Sequence, residues 1–370
     1  MPQVANGCLV LADIGGYTRY LGGVELEHSH DILADLLGVV TGQLVGPLRL
    51  AKLEGDAVFC FDAGDLVDGD GLLTALQSCY FAFERRQRTI SVATSCECDA
   101  CRRIPELHLK FLAHRGSFVE HDVAGSRELV GVDVVLAHRL LKNSVTELTG
   151  LDGYALLTAA CVDGLAIDPP AAGLQEHRER YDDVGDVNGW VLDLEHRWRD
   201  EQERGAIAVS PEAADMILIE DLAVSPAVVW DAMTDPKKQM LWRIGADAVD
   251  MDNPGGARGV GSTTHCVHGK TTIAQEILDW KPYSYYTYSE RNPVGMCLWT
   301  VALEPLGEGD RTRMRWLIKL TGGGAQRMAM MVFGRRMKKV LNANLEGFAD
   351  YLARTYPGAA APSRVSSSSV

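Results

Sequence analysis

The chain has 370 residues, 46% of them hydrophobic and 23% charged, with a formal net charge of −14. That length implies more than one domain, and the acidic balance excludes general binding to nucleic acid or to an anionic membrane surface. No apolar run approaches the roughly 20 residues needed to span a bilayer, and the opening MPQVANGC has no basic region followed by an apolar core, so a cytoplasmic protein is expected.

In chain order, Leu9, Val10, Leu11 and Ala12 are long enough for a buried strand and run straight into Asp13. A carboxylate at the end of an apolar strand needs a cation or donors. Gly15 and Gly16 follow, able to turn tightly and aim backbone N–H groups at an anion, and Thr18 stands near a helix start. Ser29 to Leu48 reads as a helix capped by Ser29, with Ile32, Leu33, Leu36, Leu37 and Val40 on its apolar face. Ala51 to Cys60, AKLEGDAVFC, reads as a hairpin turning at Gly55-Asp56, which supplies a second carboxylate. Gly71 to Arg86 is a second amphipathic helix.

Thr94 to Arg102, TSCECDACR, holds Cys96, Cys98 and Cys101 in a polar loop. Three thiols so close in a reducing compartment favour zinc, normally held by four ligands. His108, Cys79 or a dimer partner would complete the set; redox-active or reactive thiols, and thiols with no function, are the other readings of this loop. Phe111 to Phe118 is a strand ending in a turn, and Glu128 to Asn143, ELVGVDVVLAHRLLKN, a turn followed by a helix.

In order and spacing, ADIGGYT, KLEGDAVF, FLAHRGSF and ELVGVDVVLAHRLLKN resemble the catalytic domain of class III nucleotidyl cyclases over about Val4 to Thr158; the cysteine loop and HRLLKN are shared with an uncharacterised cyclase-like family. The resemblance implies an α+β fold of ferredoxin-like type, a purine nucleoside triphosphate as substrate and Mg²⁺ or Mn²⁺ as cofactor. It makes Asp13 and Asp56 the metal carboxylates, with Gly15, Gly16 and Thr18 near the phosphates. Lys52 and Glu128 would face the base, and Arg139 would meet transition-state charge. It also implies a homodimer, since such cyclases build each site from two subunits. One departure stands out: where the family has an asparagine for the ribose, four residues before the arginine, this chain has Val135. Losing one preorganised donor costs about 10²–10³ in rate.

From Cys161 to Gly205 the pattern weakens and reads as the tail of the first domain plus a connector, giving a first domain of residues 1–205. The second, 206–356, opens with strand-like Met216 to Val224 and a short helix begun by Ser225-Pro226. Five strand-like runs follow between Gly261 and Leu320, then a Met-rich helix from Ala325 to Tyr356. SPAVVWDAMTDP, GARGVGS, ILDWKPYSYYTY and the final helix resemble the START-like or SRPBCC superfamily, also called polyketide-cyclase-like. The resemblance implies a helix-grip fold and a hydrophobic small-molecule ligand, with Trp242, Tyr286, Trp299 and Met331 as lining candidates. Residues 357–370, rich in Gly, Ala, Pro and Ser, are expected to be disordered. The leading expectation is a cyclase regulated by a hydrophobic ligand in the second domain. A non-catalytic nucleotide or small-ligand sensor, and a hydrophobic-ligand carrier dimerised by an inactive first domain, are the alternatives.

Overall fold

The central strand of the first unit, β1 (Val4–Gly15), buries Cys8 to Ala12 and Ile14 because it has a neighbour on each side and layers on both faces. The computed structural model describes residues 4–356 apart from 23, 25, 63–66, 94–97, 124–125, 183, 255–257, 270, 293–294 and 308. The side chains of 26–28, 92–93, 122–123, 126–127, 324–325, 327 and 329–333 are also outside it. Cys96, the tail 357–370 and the Met331 side chain therefore lie outside the described residues. Two compact units result, Met1–Arg204 and Gly205–Val370.

After β1 come α1 (Tyr17–Leu21), α2 (Leu26–Leu44), β2 (Arg49–Glu54), β3 (Ala57–Asp62), α3 (Gly69–Ala93), α4 (Asp99–Arg102), β4 (His108–Val123) and β5 (Ser126–Val130). Then follow α5 (Val132–Arg139), α6 (Val145–Thr149), β6 (Tyr154–Thr158), α7 (Ala159–Gly164), β7 (Gln175–Tyr181), β8 (Gly185–Asp193) and α8 (Leu194–Glu203). The sheet order is β2-β3-β1-β4-β6-β8-β7, with β5 paired to β4. Strands β2-β3-β1-β4 are antiparallel neighbours, the ferredoxin-like core, while β6 joins β4 in parallel.

Three sequence expectations change here. α2 starts before Ser29, which is buried inside the helix instead of capping it. α3 is longer than expected, its first turn satisfied by Asp68, whose Oδ1 accepts the Gly71 amide at 2.7 Å. The segment read as tail and connector extends the sheet: the strand and short helix readable in Tyr181 to Trp198 are β8 and α8, and β7 adds a further strand before them. Edge strand β7, QEHRERY, carries almost no apolar alternation, so periodicity could not reveal it. The charged run Arg197 to Arg204, which reads as a solvated helix end or linker, lies after β8 and forms the later part of α8, anchored by buried Trp198 against Phe81.

The second unit runs β9 (Met216–Leu222), α9 (Pro226–Thr234), α10 (Pro236–Trp242), β10 (Ala248–Asp252), β11 (Thr263–His268), β12 (Thr271–Lys281), β13 (Tyr285–Asn292), β14 (Gly295–Leu306), β15 (Arg311–Leu320) and α11 (Gly324–Thr355). All its strands pair antiparallel in the order β10-β11-β12-β13-β14-β15-β9. An antiparallel sheet with a long C-terminal helix is the helix-grip arrangement. Its core joins one sheet face, including Tyr286, Trp299 and Trp316, to Trp230 of α9 and to Leu345 and Phe348 of α11. On β13 and β14 the opposite face buries Thr287 and Thr300, and there the segment entering the unit is held. Ile207 N donates to Asp279 Oδ2 at 2.7 Å and Val209 N to Thr300 Oγ1 at 2.8 Å.

Candidate functional site

Asp13 lies two residues before the end of β1 and Asp56 in the tight β2–β3 turn. The register sets Asp13 against Ala57, the residue after Asp56, and the Ile14 amide donates to the Asp56 carbonyl at 3.1 Å. Two half-buried carboxylates are thereby brought to one end of the sheet. Burial, and next the charge of Asp13, push the Asp56 carboxyl pKa up, against its own backbone hydrogen bond and Lys110. Lys110, the register partner of Asp13 on β4, offers a single compensating charge: its Nζ is 3.3 Å from Asp13 Oδ2 and donates to Leu141 O at 3.2 Å. A pair of acids with one ammonium between them is short of positive charge. Hard oxygen donors in that state suit Mg²⁺ or Mn²⁺. Among the described residues no cluster of three or more metal-binding side chains occurs, so water and phosphate oxygens would fill the remaining positions.

The glycine turn follows at once. Gly16 has φ +82°, and a Cβ there would lie 2.6 Å from Glu106 O, so only glycine fits. Thr18 is exposed on α1.

A second cluster forms where β2 meets β5. Lys52 Nζ lies 2.9 Å from both Glu128 and Glu54. Its pKa is raised, first by the hydrogen bond to Glu128 and then by Glu54. Glu54 continues to His138 Nε2 at 2.8 Å, whose Nδ1 donates to Val134 O at 2.8 Å. Among the described residues no hydrogen bond or ion pair links Asp13 or Asp56 to Lys52 or Glu128. Arg139 is exposed at the last turn of α5, where its charge reaches Tyr181. Val135 is 64% exposed one turn earlier, so the position that would hold a ribose ligand faces solvent with an isopropyl group. Asn143 does not replace it: its Oδ1 accepts Tyr154 Oη and the Val145 amide, and its Nδ2 donates to Leu140 O.

In the second unit Tyr286, Tyr288 and Trp299 form a ladder across β13 and β14, with centroids 5.8 Å apart at each step. Trp230 meets Tyr286 edge-on at 5.4 Å. Trp242 stands apart from the ladder: it packs on Phe348 at 4.8 Å and its indole N–H donates to Ala232 O.

Residues 220–353 match the family "Polyketide cyclase / dehydrase and lipid transport". Residues 33–149 match "Protein of unknown function (DUF2652)". The chain joins a DUF2652 region to a polyketide cyclase/SRPBCC domain. An uncharacterized protein of Mycobacterium tuberculosis, Rv2561/Rv2562, is 36% identical over 140 residues, 35% of this chain; the match spans 60% of that relative's length. Among solved structures, the guanylyl cyclase Cya2 is 13% identical, covering 51% of this chain and 92% of that one with a TM-score of 0.39. The adenylyl cyclase CyaB from P. aeruginosa is 15% identical over 52% and 96%, with a TM-score of 0.37. MLL2253 from Mesorhizobium loti is 19% identical over 38% and 98%, with a TM-score of 0.29.

In the DUF2652 region the cysteine loop is described only in part. Cys98 stands before α4 and Cys101 is buried within it. Cys79 instead faces Val40 O at 3.8 Å, and His108 lies 3.9 Å from Asp152. Neither joins Cys98 and Cys101 in a set of three ligands among the described residues.

Sequence reasoning did not find Lys110, whose signal was its place on the strand beside Asp13, nor the Glu54–His138 bridge. It also missed Asp133, whose carboxylate accepts the Ser117 amide at 2.7 Å and meets buried His114 at 3.3 Å.

Proposed function

We propose that the first unit, which holds the DUF2652 region, is a metal-dependent nucleotidyl cyclase, converting a purine nucleoside triphosphate to cyclic nucleotide and pyrophosphate. The observation that carries this is the Asp13–Asp56 pair, mutually repelling at the strand end beside a glycine turn. The divalent ions it would hold supply charge for the attacking 3′-oxygen and the leaving pyrophosphate. Asp13 and Asp56 orient that charge, and Lys110 limits how much negative potential the pair carries before nucleotide arrives. Lys52 presents a donor and Glu128 an acceptor to the purine edge, held together before binding by their ion pair. Arg139 neutralises charge growing on the phosphates. A homodimer, the metal pair of one subunit facing Lys52, Glu128 and Arg139 of the other, fits the separation of the Asp13–Asp56 pair from the Lys52–Glu128 pair. A hydrophobic ligand in the SRPBCC domain would bias turnover.

Turnover of ATP or GTP by the full chain with Mg²⁺ or Mn²⁺, lost in Asp56→Ala and greatly reduced in Arg139→Ala, tests this reading. Unchanged rates in either variant remove that residue from the mechanism. A second reading, a sensor that binds nucleotide without turning it over, is favoured by Val135 and by the commitment of Asn143 elsewhere. Metal-dependent nucleotide binding with no product would select it.

A further inference from the structure

α11 turns a cluster of cations to solvent. Arg335, Arg336 and Lys339 are exposed and Lys338 is half-buried, all within little more than one helical turn. At three and four residues from each of them the sequence holds no acid, only uncharged residues and one another. Like charges at those spacings destabilise a helix. Among the described residues none of the four makes an ion pair or a side-chain hydrogen bond. Arg335, Lys338 and Lys339 line an open groove of about 480 Å³ with Asn342, Ala343 and Glu346, so a single carboxylate stands against three cations there. The cluster is therefore a cost to the helix that nothing in the fold offsets.

Large apolar side chains lie beside it. Val340 follows Arg336 by one turn on the same row of the helix. The Ile244 amide donates to Asn344 Oδ1 at 3.0 Å, and Asn344 Nδ2 donates to Val340 O at 3.0 Å, which brings the end of α10 alongside. Leu241, Ile244 and Val340 are 64%, 54% and 52% exposed, so one surface offers bare aliphatic groups next to unpaired cations. The acidity of the chain lies elsewhere. Of its 50 Asp and Glu, 33 stand before residue 206, with 18 of the 36 Lys and Arg; from there on 18 cations face 17 acids. The net charge excludes general adhesion to an anionic surface but not a local one, because at physiological ionic strength charges more than about 8 Å away are screened.

We propose that this face of the SRPBCC domain docks on an anionic lipid bilayer. Arg335, Arg336, Lys338 and Lys339 meet the lipid phosphates, and Leu241, Ile244 and Val340 enter the headgroup layer. A soluble phosphate would satisfy the cations and leave the aliphatic groups in water; a bilayer surface takes both. Among the described residues no helix is long and apolar enough to cross a membrane, so the attachment is peripheral. Each Lys or Arg held near an anionic bilayer raises partition about fivefold. The docking goes beyond the reading of this domain as a hydrophobic-ligand site and stands or falls without it.

The test measures co-sedimentation of the full chain with vesicles of phosphatidylcholine mixed with phosphatidylglycerol, and with vesicles of phosphatidylcholine alone. The parent is expected to bind the anionic vesicles at least about tenfold more tightly, and less tightly as salt is raised. Replacing Arg335, Arg336, Lys338 and Lys339 together by Gln should level the two vesicles. Ile244→Ser with Val340→Ser should weaken binding to the anionic vesicles about tenfold. Equal partition of the parent onto the two vesicles, or binding to neither, would overturn the proposal. A preference that survives in the fourfold variant would remove α11 from it. Release of the parent by soluble glycerol phosphate at the headgroup concentration would mean that the cations take a free phosphate and no bilayer. The comparison of vesicles in the parent needs no variant, so a misfolded variant leaves that arm intact.

Discussion

Asp56 is placed where burial and the charge of Asp13 disfavour its ionised form, the usual condition of a carboxylate kept for a ligand and not for the fold. Asp56→Asn is therefore predicted to act in two directions. It should abolish turnover, yet stabilise the metal-free chain at neutral pH, by no more than about 1 kcal/mol once solvent screening is allowed for, seen as a higher Tm. A lower Tm would mean that the pair is structural. Val135→Asn supplies the missing donor on α5, and cyclic nucleotide formation should rise roughly tenfold or more; no change would mean that the ribose is held elsewhere. His114 shows how far single residues were legible. Its place near the site segments could be read from the sequence. That it is buried against Thr158 at 2.9 Å could not, because the contact joins strands 44 residues apart. Burial lowers its pKa, against the pull of Asp133. The folded chain therefore binds fewer protons than the unfolded one, and this contribution to stability is full above pH 6.5, the ordinary histidine value, and is lost as pH falls below it. His114→Gln should flatten that acid limb in stability curves taken at successive pH values; an unchanged slope would assign it to other groups.

At the scale of elements, the start of α5 is tied to β4 by Asp133, beside the burial of Val134 and Ala137. Asp133 reaches over β4 to the Ser117 amide, and a Cβ at Gly116 would lie 2.4 Å from the Asp133 side chain. Gly116→Ala should unseat the start of α5, which carries Val135 and Arg139. It should destabilise the chain by about 1–3 kcal/mol, read from denaturant midpoints, and lower turnover in the same variant, read as cyclic nucleotide formed. A neutral effect on both would show that the helix does not depend on this seat. The strands and long helices were largely legible from apolar periodicity, β1 and α11 most of all. Boundaries were not: α2 begins before Ser29 and α3 runs past Arg86, since caps such as Asp68 depend on where the chain arrives from. β7 was invisible for a different reason. Its Glu179 is buried through Ser144 and His177, a polar burial that no hydrophobic pattern records.

At the scale of the whole molecule, the chain that joins the two units is a route by which a ligand in the SRPBCC domain would influence the first unit. That chain is fixed where it enters the second unit, since Asp279 receives the Ile207 amide and the Tyr285 hydroxyl and Thr300 receives the Val209 amide. Asp279→Ala is predicted to speed amide hydrogen exchange at Ile207 without unfolding the sheet, and exchange at the parent rate would show that the anchor is redundant. The pairing of two families was legible in the sequence because each leaves several motifs in fixed order. The division of the candidate cyclase residues into two clusters was not, because it depends on the β2–β5 approach that joins Lys52 to Glu128. The measurement that tests the account most directly is product analysis of the full chain incubated with ATP or GTP and Mn²⁺ or Mg²⁺, beside Asp56→Ala. Cyclic nucleotide and pyrophosphate in equal amounts from the parent and none from the variant is the predicted result. No product with any of the four combinations, from a chain that binds metal and nucleotide, would contradict the cyclase reading and leave a sensor.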